Sequence, residues 1–363
     1  MAKTPKSATT NADVAFMRRV LLVVAIGAVI LAIWALSDVL LLLFGSVLVA
    51  VMLRTTAAPL ARHLSIDDRW ALTLSGVLVA STLATVVWLL GPEIARQMHS
   101  VIEQLPTAFA KITDALQLGS FTELLKGSSP ESSLGSLLSS VFSWSTTVIG
   151  ALASLALVVF GGIYLAIDPT LYRQGFVKLV PPVLHPNVNN AVDDIAEALR
   201  RWLIGQAIAM VLVGGLTGIG LWAVGVPSPF ALGFIAGLAE FVPIIGPIVA
   251  AVPALLIAGS QGLQTVLLAI AVFIAVQQVE SNIITPLIAD KMVAVPPALG
   301  LFAVVAMGVL FGPLGLLFGF PLTVAFDVAV RRLYVHDTLG EPVEMVGEPA
   351  APTHSPTGHQ WRS

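Results

Sequence analysis

Two carboxylates, Glu240 and Glu280, stand in stretches of this chain that are otherwise without charge, and each has polar or helix-breaking neighbours at short spacing. Around the first, residues 240–253 read EFVPIIGPIVAAVP, so Glu240 is followed by Pro243, Gly246 and Pro247. Around the second, residues 277–286 read QQVESNIITP. Gln277 and Glu280 are three apart and share one helix face; Gln278 and Asn282 are four apart and share another; Pro286 closes the cluster. A carboxylate at the centre of a bilayer costs about 2.5–3.5 kcal/mol on insertion scales, so it calls for a compensating group. The chemistry such a residue can do is to bind a proton or a cation, with the carbonyls and helix ends freed by the prolines as further ligands. The plainer reading is that Glu240 is hydrated at an interface or caps a helix end, and that 277–286 is a hydrophilic helix terminus. Sequence alone leaves both open.

Those residues need a scaffold, and the composition says which kind. Of 363 residues 57% are hydrophobic and 11% charged, with a mean hydropathy of +0.93. Soluble domains carry about 25% charged residues. The chain therefore reads as an all-α, polytopic integral membrane protein with the lipid bilayer as its first partner. A net charge of −3 gives no case for nucleic acid. No cysteine is present, which removes disulfides, thiolate metal sites and cysteine nucleophiles. The histidines form no HExxH pair, and neither GxSxG nor a phosphate-binding glycine loop occurs, so the chain reads as no enzyme and as needing no cofactor or metal.

A crossing helix takes about 20 apolar residues. Spans are expected at 20–36, 39–53, 70–90, 146–167 and 205–224, with Ser37-Asp38 as a tight turn between the first two. Apolar stretches follow at 231–258, 263–284, 297–311 and 313–330. Lys3, Lys6, Arg18 and Arg19 place the N-terminus in the cytoplasm by the positive-inside rule. Nine full crossings would then leave Arg331-Arg332 outside. Pro243-Ile244-Ile245-Gly246-Pro247 interrupts 231–258, so a re-entrant hairpin there restores the rule, giving about eight spans plus the hairpin and two cytoplasmic termini. The rival is a full, proline-kinked ninth crossing.

The expected organisation is a cytoplasmic segment at 1–19, three spans over 20–90, and an extracytoplasmic amphipathic region with a linker at 91–145. The fourth span at 146–167, a cytoplasmic amphipathic segment at 168–204, a bundle at 205–333 and a disordered tail at 334–363 complete it. In the segment at 168–204, Val188, Val192, Ile195, Leu199 and Leu203 form one apolar stripe. Gly214/Gly218, Gly233/Gly237, Gly308/Gly312 and Gly315/Gly319 have the small-xxx-small spacing of close helix contacts, within a protomer or between subunits of a homo-oligomer. Asp327 and Arg331, four apart, are placed to pair at a membrane boundary.

Three blocks, EFVPIIGPIVAAVPALL at 240–256, QQVESNIITPLI at 277–288 and FGPLGLLFGFPLTV at 311–324, together with LRRWLIGQ at 199–206, resemble the signature blocks of the autoinducer-2 exporter (AI-2E) family. The similarity runs over roughly 14–333. It implies a multi-pass, permease-like protein of the bacterial inner membrane with about eight spans. Members of that family are associated with export of autoinducer-2, and some with sodium or lithium/proton antiport. The expected function is therefore secondary transport of a small polar solute or a monovalent cation, with 240–247 and 277–286 lining the path. The alternative is a membrane scaffold with no flux of its own.

Overall fold

A computed structural model describes residues 8–81, a few positions between 84 and 92, residues 153–286 and residues 295–340. The amphipathic region and linker expected within 91–145, and the tail from 341, lie outside the described residues. Every described element is helical: α1 (Ala8–Ala35), α2 (Ser37–Leu64), α3 (68–81), α4 (Ala153–Ile167), α5 (Pro169–Val177), α6 (His185–Ala223), α7 (Pro229–Ala239), α8 (Ile245–Gln261), α9 (Leu263–Val279) and α10 (Pro297–Ala329). Single turns of π-helix extend α9 over Glu280–Ile284 and α10 over Val330–His336.

Among the described residues five helices are long and apolar enough to cross a membrane, or six if α4 and α5, bent by 89° about Asp168, count as one. The expected eight are not reached among these residues, and a count by helix length hides two local features. Ser37-Asp38 is not a reversing turn. Leu36 N–H donates to Ala32 O and Leu40 N–H to Leu36 O, each at 2.9 Å, so the helical ladder runs from α1 into α2. Conversely, α10 counts as a single long helix but is bent double at Gly312, which has φ 65° and ψ −148°. In a straight helix residues 300 and 320 would lie about 30 Å apart at 1.5 Å per residue. Instead a Cβ on Gly300 would lie 2.7 Å from the Phe320 ring, and one on Gly319 would lie 3.0 Å from Val304 Cα. The stretches 297–311 and 313–330 are therefore the two arms of a helical hairpin.

The centre of the molecule is α6, which packs on α2, α5, α7, α9 and α10. Its 39 residues merge what the sequence suggests as a separate amphipathic segment and the fifth span. The stripe at Ile195, Leu199 and Leu203 continues into Trp202, and these pack with Leu41 and Leu48 of α2 and Phe318, Val324 and Val328 of α10. The opposite surface of the same half is charged. Arg173 reaches Asp193 at 2.7 Å, Glu197 holds Arg200 and Arg201 at 2.9 and 2.7 Å, and Arg332 lies 3.5 Å from Asp194. Asp327 pairs with Arg331 at 2.7 Å, as their spacing suggests. These pairs tie α5, α6 and the end of α10 into one charged layer, and α10 stays helical to His336, past the expected start of the tail.

Candidate functional site

α7 and α8 are too short to cross a bilayer singly, at 11 and 17 residues. They form a second hairpin. Leu221 at the end of α6, Leu232 near the start of α7, Ile257 and Ala258 near the end of α8 and Ala269 in α9 belong to one apolar cluster. If α8 continued in the direction of α7, Ile257 would be more than 30 Å from Leu232 at helical rise. The reversal is carried by residues 240–244, between Ala239 and Ile245. Only part of the expected 243–247 turn is thus the break itself: Pro243 and Ile244 are in it, while Gly246 and Pro247 sit in the first turn of α8. Proline costs little there because first-turn N–H groups have no helical partner. Glycine is required at 246 because a Cβ would run into the Ala239 carbonyl. Ile244 takes φ 73°, a strained conformation for a β-branched residue.

Glycines hold the hairpin against α6. A Cβ on Gly214 would lie 3.0 Å from the Gly233 carbonyl and 3.1 Å from Gly237 Cα, while Gly218 faces Pro229 and Gly233. The two small-xxx-small pairs thus meet each other, and the backbones approach closely. Gly308, Gly315 and Gly319 face Leu316, Met307 and Val304 inside the α10 hairpin, and Gly312 is its turn. None of these four lies between α6 and the α7–α8 hairpin.

That close, antiparallel contact brings residue 240 level with residue 206. The Gln206 side-chain amide donates to the Glu240 backbone carbonyl, a group the break leaves without a helical partner. Both residues are buried, Glu240 at 1% and Gln206 at 6% exposure. Next to this pair Trp202, also 1% exposed, meets Phe241 of the break edge-on at 5.6 Å and stacks on Phe320 of α10 at 5.9 Å. One indole therefore touches both hairpins. Arg201 is five residues before Gln206, about 7.5 Å along the axis, so the site lies near the charged layer and not at the middle of α6's apolar length.

The Glu240 carboxyl reaches the carboxyl of Glu280, which starts the π-turn at the end of α9. Among the described residues no basic side chain pairs with either, and Glu240 Oε2 has no hydrogen-bond partner. Gln277 Nε2 donates to Glu280 Oε2 at 2.8 Å. Asn282 Nδ2 donates to Gln278 Oε1 at 3.0 Å and to its backbone carbonyl at 2.9 Å, on an exposed part of the helix. Of the polar cluster, then, Glu280 adjoins Glu240, whereas Gln277, Gln278, Asn282 and Pro286 are on the exposed surface, Gln277 reaching Glu280 from there. Among the described residues no group of three or more acidic, histidine or cysteine side chains converges as a metal site would need.

Residues 21–334 match the family described as AI-2E family transporter. The chain belongs to the AI-2E transporter family. Its relatives are bacterial. The "Putative transport protein YueF" of Bacillus subtilis is 25% identical over 313 residues, 80% of this chain and 85% of that protein. The "Putative transport protein YrrI" of the same organism is 30% identical over 176 residues, about half of each chain. The AI-2 transport protein TqsA of Escherichia coli K12 is 21% identical over 192 residues, 52% of this chain and 54% of that one. Family membership and the long apolar helices make this a multi-pass membrane protein of a transporter family.

Gln206, Trp202 and Phe241 are site residues that the sequence reading does not single out. Gln206 carried a signal: it is the lone amide side chain in the apolar half of α6. Trp202 and Phe241 carried no signal of their own, since aromatic residues in apolar runs are ordinary, beyond lying with Gln206 in the blocks 199–206 and 240–256 that resemble the family.

Proposed function

We propose that this protein is a secondary permease, moving a small polar solute such as an autoinducer-2-like signal, or exchanging a monovalent cation for protons. The observation that carries the reading is Glu240, buried with an unpartnered oxygen in a strained, non-helical break. Non-helical backbone at membrane depth is tolerated where protein buries it or a wet cavity adjoins it, and broken helices are where transporters place binding groups. Hairpin Pro229–Gln261 is then re-entrant, with Glu240, Pro243, Gly246, Pro247, Gln206, Gln277 and Glu280 at the path. By the positive-inside rule the layer holding Arg173, Arg200, Arg201 and Arg332 faces the bacterial cytoplasm, as do both termini.

The test is flux into proteoliposomes under imposed proton or sodium gradients, screened over small polar solutes and alkali cations. Gradient-driven flux that Glu240→Gln reduces by ~10-fold, a loss of about 1.4 kcal/mol of coupling, is the expected outcome. Folded protein that moves no solute under any gradient would overturn the reading in favour of a scaffold.

A further inference from the structure

The two acids do not act as separate sites. We infer that Glu240 and Glu280 form one carboxylic acid–carboxylate pair that shares a single exchangeable proton, loaded and released through Glu280. The inference deepens the permease reading and rests on it only for the proton's use, not for its presence.

Two carboxylates that face one another in a low-dielectric surround cannot both ionise cheaply, and one unit of positive charge between them removes most of the penalty. The groups that face the pair decide what supplies it. From α6 comes the Gln206 amide, which is committed to the Glu240 carbonyl. From α9 comes the Gln277 amide, which presents its N–H to Glu280. From α10, Phe320 stacks on the Trp202 that also packs against the break, and it brings no charge. The nearest basic side chains along α6, Arg200 and Arg201, are held by Glu197. Both neighbouring amides thus present hydrogen-bond donors, not oxygens. An alkali cation wants about six oxygen-type ligands, as hard cations generally do, whereas a proton needs only the two carboxyls.

Exposure assigns the route. Glu240 is 1% exposed and Glu280 half-buried, with Gln277 beside it at the surface. In the loaded state one carboxylic O–H donates to the facing carboxylate, and the pair carries a net charge of −1. Release transfers that proton to water at Glu280 and leaves a charge of −2, which the tip can relieve by separating the two acids. No other reactant is needed.

Infrared difference spectroscopy of the purified full-length chain in lipid nanodiscs, with inorganic Na⁺ and pH as the probes, tests this. At neutral pH the wild type should show the carbonyl stretch of one protonated carboxyl per chain, insensitive to added Na⁺. Glu240→Gln should abolish it, because the second carboxyl that makes ionising both acids costly is then gone. Glu280→Gln should keep the band but move its frequency, because the acceptor changes from a carboxylate to an amide. Absence of the band in the wild type overturns the proposal. So does its loss on adding Na⁺, which would make the occupant a metal cation, and so does an unshifted band in Glu280→Gln, which would make Glu240 a lone acid. Glu280 is half-exposed, so that variant remains informative if Glu240→Gln fails to fold. A band behaving as expected in a protein without flux sinks the permease reading and leaves the pair standing.

Discussion

Two helical hairpins among the described residues, Pro229–Gln261 and α10, are built on the same plan and put to different use. In Pro229–Gln261 the turn takes five residues, leaves a backbone carbonyl for Gln206 and buries Glu240 against Glu280. In α10 the reversal takes one glycine, Gly312, with Phe311 and Leu314 beside it packed on an apolar core. A tight turn that satisfies its backbone needs no polar companion and serves as structure. A longer, strained turn exposes polar backbone inside the protein, and polar side chains gather where that backbone must be satisfied. The difference in turn length, more than the number of prolines, separates the candidate site from its apolar counterpart.

The sharpest way to break that comparison is at the residue both hairpins touch. Trp202→Ala removes a fully buried indole and should cost ~3–5 kcal/mol, read as a large fall in the unfolding temperature in detergent. If only local loosening followed, the two hairpins would not be one packed body. Next, Gly246→Ala forces a Cβ against the Ala239 carbonyl. It should destabilise by about 1–3 kcal/mol or more and displace Glu240, so flux per folded molecule falls as well. Gly312→Ala has open space around its Cβ, and its cost is conformational, ~1–3 kcal/mol. It should lower stability while leaving flux per folded molecule intact; a selective loss of flux would place the path in the wrong hairpin. The smallest effect is expected from Asn282→Ala, which removes an exposed bond to Gln278 worth about 0.6 kcal/mol. Abolished transport in that variant would show that the exposed face of α9 belongs to the path.

Much of this architecture was legible in the residues. Apolar lengths marked α2, α6 and α9, and the prolines and glycine after Glu240 marked a break within a few residues of the observed one. Glycine spacing marked the face on which α6 and α7 meet. Ser37-Asp38 misled because two polar residues in a row resemble a turn, while their side chains can equally sit on a continuing helix. The separation of Gln277 and Glu280 from Gln278 and Asn282 followed from helical period, but that Glu280, of these four, is the one drawn inward did not.

Sequence by itself determined that this chain lives among lipids, that it is helical, and that 240–247 cannot be an uninterrupted helix, because these follow from local hydrophobicity and from what proline and glycine permit. The tertiary structure alone decided that Glu240 meets Glu280 across forty residues, that Gln206 closes the break, and that Trp202 joins the hairpins. Those contacts depend on the register and angle at which helices pack, and close packing sets these through all the side chains at once, so no short window of sequence contains them.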